Sequence, residues 1–311
     1  MTAKQHWLAK RLIIPAGILP PAVNYADLIF NEQARKKAGA AGFEYLLLLS
    51  QDPEKINHSP IKGKIPAVHA PFLAFGHSSF GNNRQVIELI TNFVYGKNRI
   101  PADFPTLFEK TFGFAKKVGA RLIVFHTYHL SQNPPACLAL LAKMEKEFGI
   151  QPVIEHEGPY IDGWMKFARV PWGIKPQEMI AALDKFSPRK KFMICLDTSS
   201  LYGYNLPILE TAKKVWRRVG QLHLAGSVPG KDLASEISQP EIIDLVNFFY
   251  DHNYHGLINA EINGPGNKLE EIIAQIYGAS SLLKFPIFKQ TAVNFTQKHL
   301  INSCQFLLKN I

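Results

Sequence analysis

The sequence predicts a single (β/α)8 barrel at about residues 11–285, followed by an extra C-terminal segment at 286–311. Eight short apolar runs alternate with helix-length segments, and no linker or low-complexity stretch interrupts the 311 residues. The chain is 47% apolar and 19% charged, so it can bury a large core. Barrels of this kind commonly occupy about 250 residues as one unit, and one domain is therefore predicted for 1–311.

The predicted strands are apolar at almost every position, as expected for parallel strands that are buried on both faces. Eight is also the number of strands that closes such a barrel. The strands are predicted at 11–17, 43–50, 65–70, 121–126, 152–157, 192–198, 221–226 and 256–262.

Helical patterns fill the intervals between these runs. The segment 71–104, rich in Gly, Asn and Phe, is too long for a simple loop and is predicted to cover the site as a lid. A further helix at 294–309 is expected to pack on the outside of the barrel. The other helices are predicted at 24–39, 105–118, 135–148, 176–186, 207–219, 239–252 and 267–283.

The net charge of +10 raises the question of a nucleic-acid partner. However, the basic clusters each lie just before a predicted strand, at helix C-termini or in the turns that follow them. In a barrel that face is opposite the active site, so solvated helix ends are favoured and a nucleic-acid partner is disfavoured, although it stays open. The clusters are Arg35–Lys37, Lys116–Lys117, Arg189–Lys191 and Arg217–Arg218.

The cysteines and the N-terminal residues bear on the compartment. Cys137, Cys195 and Cys304 are few and odd in number and make no disulfide framework, which favours a reducing, cytoplasmic setting. The N-terminal residues resemble a signal peptide weakly, but their prolines favour a first barrel strand. No other run approaches the ~20 apolar residues of a membrane span. The apolar tail at 306–308 is either core or the interface of a homo-oligomer.

Six ionisable residues fall at or near the C-terminal ends of consecutive predicted strands. Alternation along a strand gives each the same face as its inward neighbours; His126, for example, shares a face with Leu122 and Val124. All six are therefore expected to converge on one space at the C-terminal face of the barrel. They are His69, His126, Glu155, Asp197, His223 and Glu261.

Three carboxylates in one partly enclosed space repel one another unless a positive charge lies between them. A divalent cation supplies that charge, and oxygen ligands with one or more imidazoles suit Mn²⁺, Mg²⁺ or Zn²⁺. One or two ions are expected. Taken singly, each residue has an ordinary alternative as a hydrogen-bonded structural group or a rim charge, but six consecutive strands repeat the pattern. Glu157 shares the face of Glu155 further out and is a weaker candidate for substrate contact.

Several motifs resemble those of the xylose isomerase-like TIM barrels, a superfamily that includes endonuclease IV and sugar epimerases of the tagatose 3-epimerase type. The resemblance covers about residues 40–265 and lies in the order and spacing of the motifs. These motifs are AVHAPF, IVFHTYHL, VIEHEGP, CLDTSSLYGYN, LHLAGS and NAEINGP.

The resemblance implies roles for the six residues. Glu155, Asp197, His223 and Glu261 match the four ligands of the single metal in the epimerases. His69 and His126 match two histidines that hold another zinc with the shared glutamate in endonuclease IV. Such a site acts as a metal-dependent isomerase or epimerase on a small sugar or polyol, in which two glutamates exchange a proton through an enediolate.

In that mechanism Glu155 and Glu261 are the catalytic acid and base. Trp164 and Trp172 follow the fifth strand, where an indole can cover a sugar face or simply pack in the rim. The alternative function, an endonuclease IV-like phosphodiesterase acting on damaged DNA, is weakened by two departures. Ser200 stands where that enzyme has a histidine, and 228–236 holds no Asp-x-His pair.

Overall fold

Eight parallel strands form one closed sheet, in which each strand pairs with the next along the chain and β8 pairs with β1. The computed structural model describes residues 1–16, 32–48, 62–72, 103–130, 133–156, 175–226, 236–262 and 286–311. The predicted (β/α)8 barrel is confirmed. Its strands are β1 Leu12–Pro15, β2 Gly42–Leu48, β3 Ala67–Phe72, β4 Leu122–His126, β5 Gln151–Glu155, β6 Met193–Asp197, β7 Val219–Leu224 and β8 Leu257–Ala260.

Helices follow the strands on the outside, as predicted. The helix predicted at 267–283 and most of the lid predicted at 71–104 lie outside the described residues. None of the helices that the structure describes is both long and apolar enough to cross a membrane. The helices are α1 Ala3–Ala9, α2 Glu32–Ala38, α3 Asp103–Val118, α4 Pro134–Phe148, α5 Pro176–Phe186, α6 Thr198–Gly203, α7 Ile208–Val215, α8 Pro240–Asp251 and α9 Pro286–Asn310, with 3-10 turns at Thr127–Leu130 and Trp216–Arg218.

Two short helices were not expected from the sequence. Helix α1 begins in a capping box between Thr2 and Gln5 and buries Leu8, so the first barrel strand is preceded by a helix. Helix α6 begins directly at the end of β6, where the side chain of Asp197 caps its first turn. The second of these helices places a helix N-terminus at the candidate site.

The barrel interior changes in character from one end to the other. Its lower layers are filled by apolar side chains, among them Ile13, Leu122, Val153 and Leu257, all buried. A larger apolar core lies between the sheet and the surrounding helices. The six predicted ionisable residues lie nearer the C-terminal ends of the strands, whereas buried Glu44 and Gln221 are in register with Ala67 and Leu257 of the apolar cluster.

The C-terminal segment forms helix α9, which packs on the outside against α2 and α1. Its described part buries Leu300, Cys304 and Leu307, and the hydroxyl of Ser303 accepts a hydrogen bond from the backbone N–H of Ile237 at 2.9 Å. The predicted outer helix is confirmed, and it begins earlier than predicted, at Pro286.

The basic clusters lie at the N-terminal ends of the strands, as predicted. Lys116 and Lys117 fall in the last turn of α3, and Arg217 and Arg218 in the 3-10 turn before β7. Arg218 also pairs with Asp184 at 3.0 Å, so part of the charge is neutralised locally. These cations stand at the opposite end of the strands from the candidate site.

Candidate metal centre

The six ionisable residues predicted from the strand ends lie where the sequence placed them, at or just before the C-terminal ends of β3 to β8 or, for Glu261, directly after β8. Five of them are more than nine-tenths buried. The side chain of Glu261 is 28% exposed and faces the mouth of the barrel. The site therefore consists of five buried polar side chains and one partly exposed carboxylate, that of Glu261.

Glu155 lies at the centre of the group. Its Oε2 is 3.1 Å from His69 Nε2 and 3.5 Å from His126 Nε2, while its Oε1 is 3.1 Å from His223 Nδ1. The rings of His69 and His126 lie with their centroids 4.7 Å apart. One carboxylate therefore joins two groups of imidazoles, which we call the His69 cluster (His69, His126 and Glu155) and the His223 cluster (Glu155, His223 and Glu261).

His223 is completely buried, and its Nδ1 faces two carboxylates. That atom is 3.1 Å from Glu155 and 2.6 Å from Glu261 Oε2. The backbone N–H of Glu261 donates to the carbonyl of Leu224 at 2.9 Å, which anchors the residue beside the end of β7. The two carboxylates thus approach one imidazole nitrogen from different strands.

These separations suit a shared cation. Nitrogen and oxygen donors bound about 2.1 Å from one ion lie about 3 Å apart from each other. Among the described residues, two sets of potential ligand atoms lie within 4.8 Å of one another: the His69 cluster, and Glu155 with Cys195 and His223. Within the same part of the chain, the basic groups in ion-pair distance of Glu155 and Glu261 are imidazoles alone. These two sets have the donor types and spacing of a divalent-metal site, and Glu261 and Asp197 belong to neither set.

The carboxylate of Asp197 has a second set of partners. It accepts hydrogen bonds from the backbone N–H groups of Ser199 and Ser200 at 2.8 and 3.3 Å, and from both hydroxyls at 2.7 Å. Asp197 is next to His223 in the register of β6 and β7. Its role as a metal ligand stays a prediction, because the contacts above explain its position as the cap of α6.

Electrostatics in the cluster favour ionised groups. Burial alone would raise the pKa of Glu155, but the imidazoles of His126, His223 and His69 outweigh it and hold that pKa well below its ordinary value. Burial would lower the pKa of His69, but the hydrogen bond to Glu155 raises it to about 9. For His223 burial also lowers the pKa, and Cys195 together with the carboxylates of Glu44, Glu261 and Glu155 raises it well above the ordinary value. Without a metal, His69 and His223 therefore hold their protons beside the carboxylates.

Sequence reasoning missed three residues beside the site. Glu44, Gln221 and Cys195 are all buried inside the barrel. A lone carboxylate in the apolar run of β2, and Gln221 two residues before His223, were the signals that could have found the first two. Burial raises the pKa of the Cys195 thiol well above its ordinary value, so the thiol is protonated in the metal-free protein.

Two further histidines follow the strand-end residues of β4 and β5. His129 is buried; its Nδ1 accepts a hydrogen bond from the backbone N–H of His126 at 3.1 Å and its ring packs against Phe125. It therefore supports the backbone at the end of β4. His156, directly after β5, is buried, and its ring centroid lies 5.9 Å from that of Tyr204. The weaker substrate-contact candidates Glu157, Trp164 and Trp172 lie outside the described residues.

Comparison with known proteins supports the fold. No family model matches the chain, and no curated protein matches it. Among solved structures, D-allulose 3-epimerase from Methylomonas sp., in complex with D-allulose, is 14% identical with a TM-score of 0.56, covering 97% of this chain and 98% of that one. A sugar phosphate isomerase/epimerase from Parabacteroides distasonis is 11% identical with a TM-score of 0.55, covering 96% and 94%.

A third solved structure, 3-keto-D-glucoside 4-epimerase from E. coli, is 12% identical with a TM-score of 0.53, covering 88% of this chain and 98% of that one. All three cover almost the whole of the compared chain at low identity, so they bear on architecture. The chain therefore has the same (β/α)8 barrel fold as these epimerases and isomerases, as the resemblance of its motifs implied for the architecture.

Proposed function

We propose that the protein is a divalent-metal-dependent isomerase or epimerase that acts on a small sugar or sugar-like substrate. The observation that carries the proposal is the approach of Glu155 and Glu261 to the same nitrogen of His223, at 3.1 and 2.6 Å. The solved structures with the same fold include sugar epimerases and isomerases, which supports the substrate class.

The residues that would hold the ion are Glu155, His223 and Glu261, with Asp197 as a further ligand and the His69 cluster as a second site. A bound Mn²⁺, Mg²⁺ or Zn²⁺ supplies a Lewis acid that polarises a carbonyl and acidifies the neighbouring C–H bond. Glu155, beside three imidazoles, lies at the end of β5, and the partly exposed Glu261 lies directly after β8. They can take a proton from one side of a bound carbon and return it from the other.

The test measures proton transfer without knowledge of the natural substrate. Metal-loaded protein is incubated in D₂O with free and phosphorylated ketoses, and deuterium incorporation next to the carbonyl is followed by NMR. Incorporation should fall by about 100-fold or more in Glu155→Gln and Glu261→Gln. Glu210→Gln, which removes an exposed carboxylate on α7, is the matched control. The absence of exchange with every sugar and metal tested would refute the proposal.

A second function, metal-dependent phosphodiester hydrolysis of damaged DNA, has one observation in its favour. The His69 cluster offers two imidazoles and a carboxylate for a second ion beside the first. Against it, the hydroxyl of Ser200 donates to Asp197, at the position where endonuclease IV has a histidine. Cleavage of an abasic-site duplex by zinc-loaded protein tests this alternative, and elemental analysis after chelator-free purification distinguishes one bound ion from two.

The free cysteines support a proposal for the cellular compartment of the protein. Cys137, Cys195 and Cys304 are all free and buried. A chain with three unpaired thiols suits a reducing compartment, and we place the enzyme in the cytoplasm.

A further inference from the structure

A pair of buried polar residues lies directly behind His223. Glu44, on β2, is 4% exposed, and Gln221, two residues before His223 on β7, is completely buried. The side-chain Nε2 of Gln221 donates a hydrogen bond to Glu44 Oε2 and lies 2.9 Å from His223 Nε2. The same oxygen of Glu44 is 3.3 Å from His223 Nε2. Two nitrogens therefore meet at one carboxylate oxygen.

The two ring nitrogens of His223 consequently face different partners. Nδ1 faces Glu155 and Glu261 at the candidate metal centre, and Nε2 faces Glu44. A neutral imidazole carries its proton on one nitrogen only, and it binds a metal through the other. Binding through Nδ1 thus requires the proton on Nε2, where the carboxylate of Glu44 can accept it. The opposite tautomer would place the lone pair of Nε2 against that carboxylate oxygen, with an amide hydrogen of Gln221 as its donor, and would leave Nδ1 protonated.

Gln221 fixes the position of that carboxylate. Its amide nitrogen is a donor only, so it cannot itself accept the proton on His223 Nε2. One of its two hydrogens is donated to Glu44, and this hydrogen bond joins β2 to β7 across the barrel interior. Because all three groups are buried, water does not compete for these hydrogen bonds. The pair therefore holds the imidazole in one orientation.

We propose that Glu44, held by Gln221, is a positioning residue that selects the Nε2–H tautomer of His223 and so presents Nδ1 to the metal. This inference rests on the metal centre of the proposed function. Partners of this kind on metal-binding histidines commonly contribute about 10- to 100-fold to metal affinity. Neither residue has a place among the ligands or among the groups that transfer protons to substrate.

The experiment measures metal affinity rather than activity. Metal-free wild type, Glu44→Gln and Gln221→Leu are titrated with Zn²⁺ and with Mn²⁺ against a chromophoric chelator. Affinity should fall about 10- to 100-fold in Glu44→Gln and by a smaller factor in Gln221→Leu. Thr111→Val, which removes a buried hydroxyl that bonds to Leu107 on α3, controls for a general loss of stability and should bind like the wild type. In zinc-loaded wild type, imidazole ¹H–¹⁵N correlation spectra should show the proton of His223 on Nε2.

The outcomes separate this inference from the proposed function. Unchanged affinity in folded Glu44→Gln, or a proton on Nδ1 of His223 in the zinc-loaded protein, overturns the positioning role and leaves the metal centre intact. A wild type that binds neither metal overturns both. Weakened binding in Glu44→Gln together with no sugar exchange in the wild type supports the positioning role and refutes the proposed reaction.

Discussion

Replacing Glu155 with glutamine should make the stability of the metal-free protein less dependent on pH. The pKa of His69 is raised to about 9 by Glu155 in the folded state, against about 6.5 in an unfolded chain. Because the folded value is the higher one, the stabilisation is complete below pH 6.5 and is lost as the pH rises through 9. A rise of that size corresponds to about 3 kcal/mol of free energy of unfolding. The raised pKa of His223 acts in the same direction.

The assay is equilibrium urea unfolding of metal-free wild type and Glu155→Gln, in the presence of a chelator, from near pH 6 to near pH 10. The substitution should lower the free energy of unfolding by about 3 kcal/mol more at the acid end than at the alkaline end. At the acid end the wild type has a charged His69 paired with Glu155, whereas at the alkaline end His69 is neutral in both proteins. Glu210→Gln should follow the wild type throughout. A cost that is the same at every pH would refute the reasoning, since the variant would then differ by packing and not by charge.

Other predictions follow from the same geometry. Zinc binding near pH 7 should release more than one proton, because His69 and His223 have raised pKa values and must lose their protons to bind the metal. Calorimetry in buffers of different ionisation enthalpy measures this release. A binding heat that does not change with the buffer would contradict the prediction. Asp197→Ala should lower the free energy of unfolding by about 1–2 kcal/mol, because the N-cap of α6 is lost. Zinc titration of Asp197→Asn separates the two roles of this residue. A loss of zinc affinity would establish Asp197 as a ligand, and an unchanged affinity would make it a helix cap alone. Gly220→Ala should cost about 1–3 kcal/mol, because a Cβ there would lie 2.7 Å from Val153 Cγ1; an unchanged thermal midpoint would show that the barrel yields at this point.

The strands were predictable because parallel strands buried on both faces appear as continuous apolar runs. The run predicted at 43–50, for example, is observed at Gly42–Leu48, and α5 spans the residues predicted. Helices α1 and α6 were missed for a physical reason. Both are a turn or two long, so their apolar periodicity is too short to detect, and their formation depends on caps supplied by Thr2 and Asp197.

The convergence of the strand-end residues followed from alternation and from the closure of the sheet, which brings together chain segments far apart in sequence. The hydrogen-bond partners of each side chain could not be predicted in the same way. Glu44 meets Gln221 across 177 residues, and which of several inward positions a side chain reaches depends on stagger between strands and on rotamers. Asp197 shows the same limit: alternation predicts that it faces inward, but not that serines on the following helix occupy its oxygens.

The composition of the barrel interior argues that these ionisable groups are present for function. Buried ion pairs are often less stabilising than apolar side chains of the same volume, because both partners lose their water. The lower layers of the barrel, filled by residues such as Ile13 and Leu122, show that this chain can fill the interior with apolar groups. A structural role alone would extend that packing upward. Instead the interior also buries Glu44, Glu155 and His223, which stabilise it less than apolar side chains of the same volume would, and a bound cation would offset that difference through the same donor atoms.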